Sequence, residues 1–537
     1  MPEKVSAAGF CNFCKNNIPL LIAVSLTLFF TYGIRLLWYS AGIDTTVFIA
    51  FRARELEWGL RIGRFGFVFL SNILHIRGFN PFTAFFMAFC LFWFAAISWA
   101  YILAVFSKDT GRNNKLIPFA LLFMTMPVWA TQFYFLQQAA ENALIIALCP
   151  YIIYLLYKGF LDNEKGKVIC GFALFVFSVS VYQAIIPLFI CGVFACFLFL
   201  QENSNYKPKV YRNLCLKLFL TLIGVIAVYL FIDRIIIPPV FNIERASYLD
   251  NMFRWGQAPF MRIITQLLFF GYVLIGPIPP IHNIATRNIA NIVGTDLETI
   301  SWPARIYGNV LLLPATVLFL IAVIVIMRRA IPKERRFLYL LAGIGVPFSI
   351  ILMALAGGNV PPMRALYSLP FASAFMLYFL IKTSKKKIAI VISCIALLAA
   401  GYQAQISAQL FYSDQLRYNE DVRLANNFYN LINSVQTGDI MLPVALVGRR
   451  DTSSQFQVNF IHGEMIGSSV FAQETASSTT LLGLSFMRNL GMNFEAANPE
   501  QIRLASQWAA WLPAYPDPGC VMIAGDFILV RISETLN

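Results

Sequence analysis

Charge is scarce in this chain. Only 13% of its 537 residues are Asp, Glu, Lys or Arg, where a soluble globular protein carries about 25%. Histidine is scarcer still. His75, His282 and His462 are the only three, so acid–base chemistry built on imidazole is poorly supplied. Cysteines such as Cys90, Cys149, Cys170, Cys191, Cys196 and Cys394 lie in apolar runs, where they behave as small hydrophobes. Cys11 and Cys14 form a lone C-x-x-C with no second pair to complete a metal site, and none is expected. Residues 405–537 hold one cysteine, Cys520, which excludes a disulfide framework there. A G-x-G-x-x-G fingerprint is absent, and no Walker lysine loop, zinc-spaced histidine set or G-x-S-x-G elbow stands in a supporting context.

What fills the chain is apolar: 58% hydrophobic and 15% aromatic residues. That composition predicts a polytopic α-helical membrane protein. The net charge of +14 is not a nucleic-acid signature. Its lysines and arginines fall in short clusters between apolar runs, as the positive-inside bias produces. Spans of about 20 residues are expected at Asn17–Tyr39, Thr83–Phe106, Ile117–Leu136 and Ala143–Tyr157, the last two joined by QQAAEN. Val168–Leu200 is too long for one span and reads as two, turning near Tyr182 and Gln183. Leu218–Ile237, stopped by Pro-Pro-Val, then Val310–Ile326, Leu338–Leu355, Leu366–Ile381 and Ile388–Ala404 complete about eleven crossings, with the proline-rich PIPPIHN between Ile237 and Val310. FVFLSNILHI and the run ITQLLFFGYVLIG are read as interfacial or re-entrant. Five basic clusters then fall on one side, which puts the amino terminus in the cytoplasm and the carboxyl terminus outside. No small-residue cleavage site follows the first apolar run, so it is a retained span.

From residue 405 the composition changes. Residues 405–537 contain no lysine, seven arginines and twelve Asp or Glu. A helix is expected over DQLRYNEDVRLANNFYNLIN, with Leu416, Val422, Leu424, Phe428 and Leu431 on its apolar face. MLPVALVG and CVMIAGDFILVRI read as strands, the second folded into a hairpin at Gly525-Asp526. The domains expected are therefore a transmembrane domain at 1–404 and a small exoplasmic α/β domain at 405–537.

The most densely charged stretch of the first hundred residues runs from Asp44 to Arg64. As one helix it aligns Arg54, Glu57, Arg61 and Arg64 on a stripe, with Trp58 as an interfacial ring. Asp44 stands where the chain leaves the bilayer. A bland alternative is an amphipathic helix whose arginines snorkel to headgroups. Other ionisable residues are expected near the same face: Glu55, Glu141, Arg254, Arg262 and Arg364. Together they suggest a cavity with an acid to serve as base and arginines for a phosphate. Asp44, Glu55 and Glu57 are the candidate catalytic residues. Arg61, Arg64, Arg364 and Arg254 are the candidate phosphate ligands, and Trp58, Glu141, Tyr182 and Gln183 the candidate substrate-binding residues.

The order of one span, an exposed Asp and then W58-GLR-IGRF resembles the bacterial type II glucosyltransferases. The YQA turn at Tyr182–Ala184, the RALYSLP run from Arg364 to Pro370 and the D-x-x-R-Y-N-x-D spacing from Asp414 to Asp421 are similar to that family too. Many members look as though they carry two adjacent acids in the first outer loop, whereas here the pair is Ile43-Asp44. The resemblance implies a GT-C-type fold and inverting transfer of glucose from undecaprenyl phosphate to a surface glycan such as O-antigen. It implies no cofactor and no metal, a multi-pass protein of the bacterial inner membrane, and, as partners, a donor-synthesising glucosyltransferase and a small flippase. Membrane lipids are the remaining partner. A flippase or transporter of lipid-linked sugars, or an oligosaccharide polymerase or ligase, is the alternative. A transporter would distribute polar residues through the depth of the bundle, and here they gather at one face.

Overall fold

Backbone groups inside a bilayer must find partners within their own segment, and this chain meets that demand with helices. The computed structural model describes residues 5–76, 78–247, 253–275, 311–436, 441–451, 466 and 468–537. They belong to two compact units. One comprises Met1–Ile34, Trp58–Phe133 and Gln138–Ala408, the other Arg35–Glu57, Tyr134–Gln137 and Gln409–Asn537.

In the first unit α1 (Ala7–Asn16) and α2 (Ile18–Tyr32) meet at 84°, with Pro19 in the first turn of the second helix, where a missing N–H costs nothing. α3 (Ile34–Leu37) and α4 (Ile43–Ala50) belong, but for Ile34, to the second unit, as does α5 (Arg52–Arg61) up to Glu57, and α6 (Phe65–Leu74) returns to the first; all four are short. α7 (Pro81–Ser107) starts on an Asn80 cap and ends where Lys108 turns left-handed. α8 (Leu116–Thr125) and α9 (Pro127–Tyr134) form a second bent pair, at 44°. α10 (Leu136–Asp162), α11 (Lys165–Val181), α12 (Ile185–Asn203) and α13 (Pro208–Phe231) follow. Later helices include Leu312–Ala330, Arg336–Phe348, Ser368–Thr383 and the 50-residue Lys386–Val435. Phe371 lies 4.3 Å from Trp99, and Trp129 lies 5.3 Å from Phe92 and 5.4 Å from Phe123, all between ring centroids. Gly192 lets α12 close on α7: a Cβ there would stand 2.6 Å from the Trp99 ring.

Seven described helices are long and apolar enough to cross a membrane, nine if each bent pair is one span. Each of the eleven expected segments lies on a helix or a bent pair. The two beyond nine are α11, with 17 residues, and Ser368–Thr383, with 16. The turn expected near Tyr182 and Gln183 separates α11 from α12. Two local expectations are corrected. QQAAEN does not join two helices but lies inside α10, because its polar side chains are buried rather than solvated. The Pro-Pro-Val after Ile237 does not end its helix at once. A π-turn at Ile232–Ile236 leads into a last helical turn, Ile237–Phe241, and left-handed Asn242 stops it. PIPPIHN, His282 and His462 lie outside the described residues.

In the second unit β1 (Val444–Val447), β2 (Val521–Ala524) and β3 (Phe527–Arg531) form one sheet in the order β1-β3-β2. β2 and β3 are antiparallel around Gly525 (φ +71), while β1 runs parallel to β3 with Val444 opposite Ile528. Helices Ala476–Asn489 and Pro499–Trp508 accompany the sheet, the second started by an Asn498–Gln501 capping box. Phe428, Phe471, Phe486, Ile528 and Val530 make the core, and Ile43 of α4 is part of it. No helix boundary falls at residue 405. The change there is one of surroundings, and helix propensity continues through it to Val435.

Candidate active site

The stretch from Asp44 to Arg64 is not one helix. Phe51 (φ −140°, ψ 52°) breaks it between α4 and α5, and Gly63 (φ +77) turns it again before α6. Arg54, Glu57 and Arg61 keep their spacing on α5, but Arg64 caps α6 and leaves the stripe. Gly63 is required here twice over. Its φ suits glycine, and a Cβ would stand 2.6 Å from the Tyr229 hydroxyl and 2.9 Å from Asp233 Oδ1. Tyr229 donates to the Gly63 carbonyl at 3.0 Å, and Gln183 Nε2 donates to the Tyr229 hydroxyl at 2.7 Å. Arg245 pairs with the buried Asp233 carboxylate behind this turn. Gln183 thus supports the turn that presents Arg64.

Asp44 is exposed in the first turn of α4, where the helix dipole favours its negative charge. Glu55, eleven positions on, is close enough to feel that charge. Burial pushes the Glu55 carboxyl above the usual range, the neighbouring Asp44 adds to the rise, and Arg54 opposes it. The charge of Asp44 therefore reaches Glu55 although the sequence shows no acid pair. Glu57 lies about 200° around α5 from Glu55 and is exposed.

The residues leading into α4 are held from below by a buried ionic network within the same unit. Arg417 donates to Asp414 at 2.6 Å, to Asp421 at 3.0 Å and to the Ala41 carbonyl at 2.9 Å. Arg35 bonds Ser40 and lies 3.3 Å from Asp414, which also accepts from the Ser40 hydroxyl at 2.5 Å. Asp421 accepts from the Ser469 hydroxyl at 2.5 Å and the Val470 N–H at 3.2 Å. On α4 itself, Thr45 donates to Gln137 at 2.7 Å, and Asn489 donates to the Thr46 carbonyl at 2.9 Å. The D-x-x-R-Y-N-x-D spacing therefore has a physical purpose: positions 414, 417 and 421 share one helix face and close around Ala41.

In the other unit Arg64 lies over the Tyr182 ring, 4.7 Å from its centroid, and donates to Gln138 Oε1 at 3.1 Å. Its Nε carries no hydrogen bond. Tyr182 packs on Tyr367 at 5.5 Å, and Tyr367 donates to Gln132 at 2.9 Å while resting on Trp129. Arg64, Tyr182 and Tyr367 thus form one cationic, aromatic cluster, and Arg364 stands three residues before Tyr367 in the chain. Glu141 is fully buried on α10, with His75 Nε2 at 3.6 Å. Arg61 and Trp58 end α5, half-buried and exposed. Arg254 is exposed and fastened by its backbone N–H to Gly357.

Tyr367, Gln138, Asn142 and His75 escaped the sequence reading. The i, i+3, i+4 spacing of Gln138, Glu141 and Asn142 could have flagged a polar helix face. The family described as Glucosyl transferase GtrII matches residues 42–381, well over half of the chain. No curated protein matches it.

Proposed function

The chain belongs to the glucosyl transferase GtrII family, and on that premise we propose that it moves glucose from a polyprenyl phosphate to a cell-surface glycan. The reaction takes place on the outer face of the bacterial inner membrane, and the carboxylate pair of Asp44 and Glu55 carries this reading. The acceptor hydroxyl attacks the anomeric carbon. Asp44 takes its proton, the carbon–oxygen bond to phosphate breaks with inversion, and the lipid phosphate leaves with the electron pair. Glu55 feels the charge of Asp44, which adds to the rise that burial gives its own carboxyl. Arg64 and Arg364 stabilise the charge that grows on phosphate. Arg64 suits this because its Nε edge is uncommitted, and two phosphate oxygens match a planar fork. No metal enters the scheme. Incubating membranes with labelled polyprenyl-phosphate hexoses should move label into surface glycan. Label that crosses the membrane still attached to lipid would instead mark a flippase.

Two further outcomes follow from these roles. Arg64→Lys should lower transfer at least about tenfold with normal insertion, since lysine keeps the charge but loses the fork. Arg212→Lys, exposed on α13, should leave it unchanged. Equal, full activity in both would reduce Arg64 to an anchor. A reporter fused after Asn537 should be active only outside the cytoplasm, and cytoplasmic activity would reverse the sidedness.

A further inference from the structure

The first half of α10 turns a polar face inward. Gln138, Glu141 and Asn142 follow one another at helical spacing, and all three are buried. Gln138 is bonded to Arg64, and Glu141 faces His75 at 3.6 Å. Asn142 is 1% exposed, yet neither its amide nitrogen nor its amide oxygen has a hydrogen-bond partner among the described residues. A buried polar group left without a partner is destabilising. An apolar residue would spare that cost, so packing alone gives no reason for an asparagine beside a buried glutamate.

Resting on the transfer reading above, we propose that Gln138, Glu141, Asn142 and His75 form the subsite that reads the hydroxyls of the donor hexose. The chemistry selects a neutral polyol. A carboxylate accepts two hydrogen bonds, a carboxamide donates and accepts, and imidazole supplies one more donor or acceptor. Sugar hydroxyls both donate and accept, so they can match such a set. A second anion would be repelled by Glu141, and a lipid chain would offer the Asn142 amide no partner. The placement also suits the donor. Its phosphate belongs on Arg64, and Arg64 is tied to Gln138, one helical turn from Glu141 and Asn142.

The test pairs enzyme variants with donors lacking one hydroxyl each. Wild-type enzyme is given polyprenyl-phosphate glucose and its single-deoxy analogues, and kcat/KM is measured for each. At least one deoxy donor should be penalised about tenfold or more. In Asn142→Ala that same penalty should shrink towards one, because the protein partner of the missing hydroxyl is already gone. Glu141→Gln should alter the penalty at a neighbouring hydroxyl. A merely structural role would lower all donors in proportion and leave every ratio intact, which would overturn the subsite. If Asn142→Ala fails to accumulate, Asn142→Asp keeps the volume, loses the amide donor and is read in the same way. Should wild-type enzyme transfer no hexose from any donor, the transfer reading itself falls and the subsite with it.

Discussion

Asp44→Asn is expected to slow transfer by about 10²–10⁴-fold, the usual worth of a positioned general base, with unchanged amounts of protein in the membrane. Asparagine keeps the shape and cannot take a proton. Asp44 is exposed at the start of α4, so the substitution forfeits only about 0.3–1 kcal/mol of helix-dipole interaction. The pH profile gives an independent check. Transfer should fall as pH drops through the range where the base is protonated. Burial raises the Glu55 carboxyl above its usual range and the Asp44 charge adds to the rise, so Asp44→Asn should move the Glu55 titration to lower pH. Activity of Asp44→Asn within a few-fold of wild type would remove it from the mechanism. A Glu55 titration that stays in place in Asp44→Asn would separate the two carboxylates.

Arg417→Met should destabilise the second unit by about 3–5 kcal/mol, as removal of one partner from a buried ion network does. Side chains 414, 417 and 421 are almost wholly buried. Without Arg417, Asp421 keeps only the Ser469 hydroxyl and the Val470 N–H, and the Ala41 carbonyl loses its donor. Arg417→Lys should not restore the loss, because one ammonium cannot reach Asp414, Asp421 and Ala41 in the guanidinium's geometry. Resistance of residues 409–537 to limited proteolysis measures the effect. A variant as resistant as wild type would show that the network adds little.

The membrane helices were legible because a long run without charge has few alternatives. Their order follows from run length, and even the split of Val168–Leu200 at Tyr182 emerged from length alone. The hairpin at Gly525 was legible through its glycine and the alternation of its strands. β1 was legible as a strand, but not its parallel pairing with β3, which depends on a partner far along the chain. The same limit hid the site. Asp44 and Glu55 sit on separate helices because of the break at Phe51, which no local rule announces in a run rich in helix formers. Arg35 and Ala41 meet Asp414 and Arg417 across nearly the whole sequence. QQAAEN read as a loop because polar residues usually seek water, and here they are enclosed. Arg64 left its expected stripe for one reason, the left-handed turn at Gly63.

The sheet has a consequence in time. β3 lies between β1 and β2, so the sheet has no centre until residues 527–531 have been synthesised. α4 belongs to that same core through Ile43, and Asn489 holds its backbone at Thr46. At about 5–20 residues per second, the ribosome delivers β3 on the order of a minute after Asp44. Through that interval Asp44 waits without the packing that orients it. On the function proposed above, a nascent chain already threaded into the membrane is therefore catalytically mute until the last strand is in place.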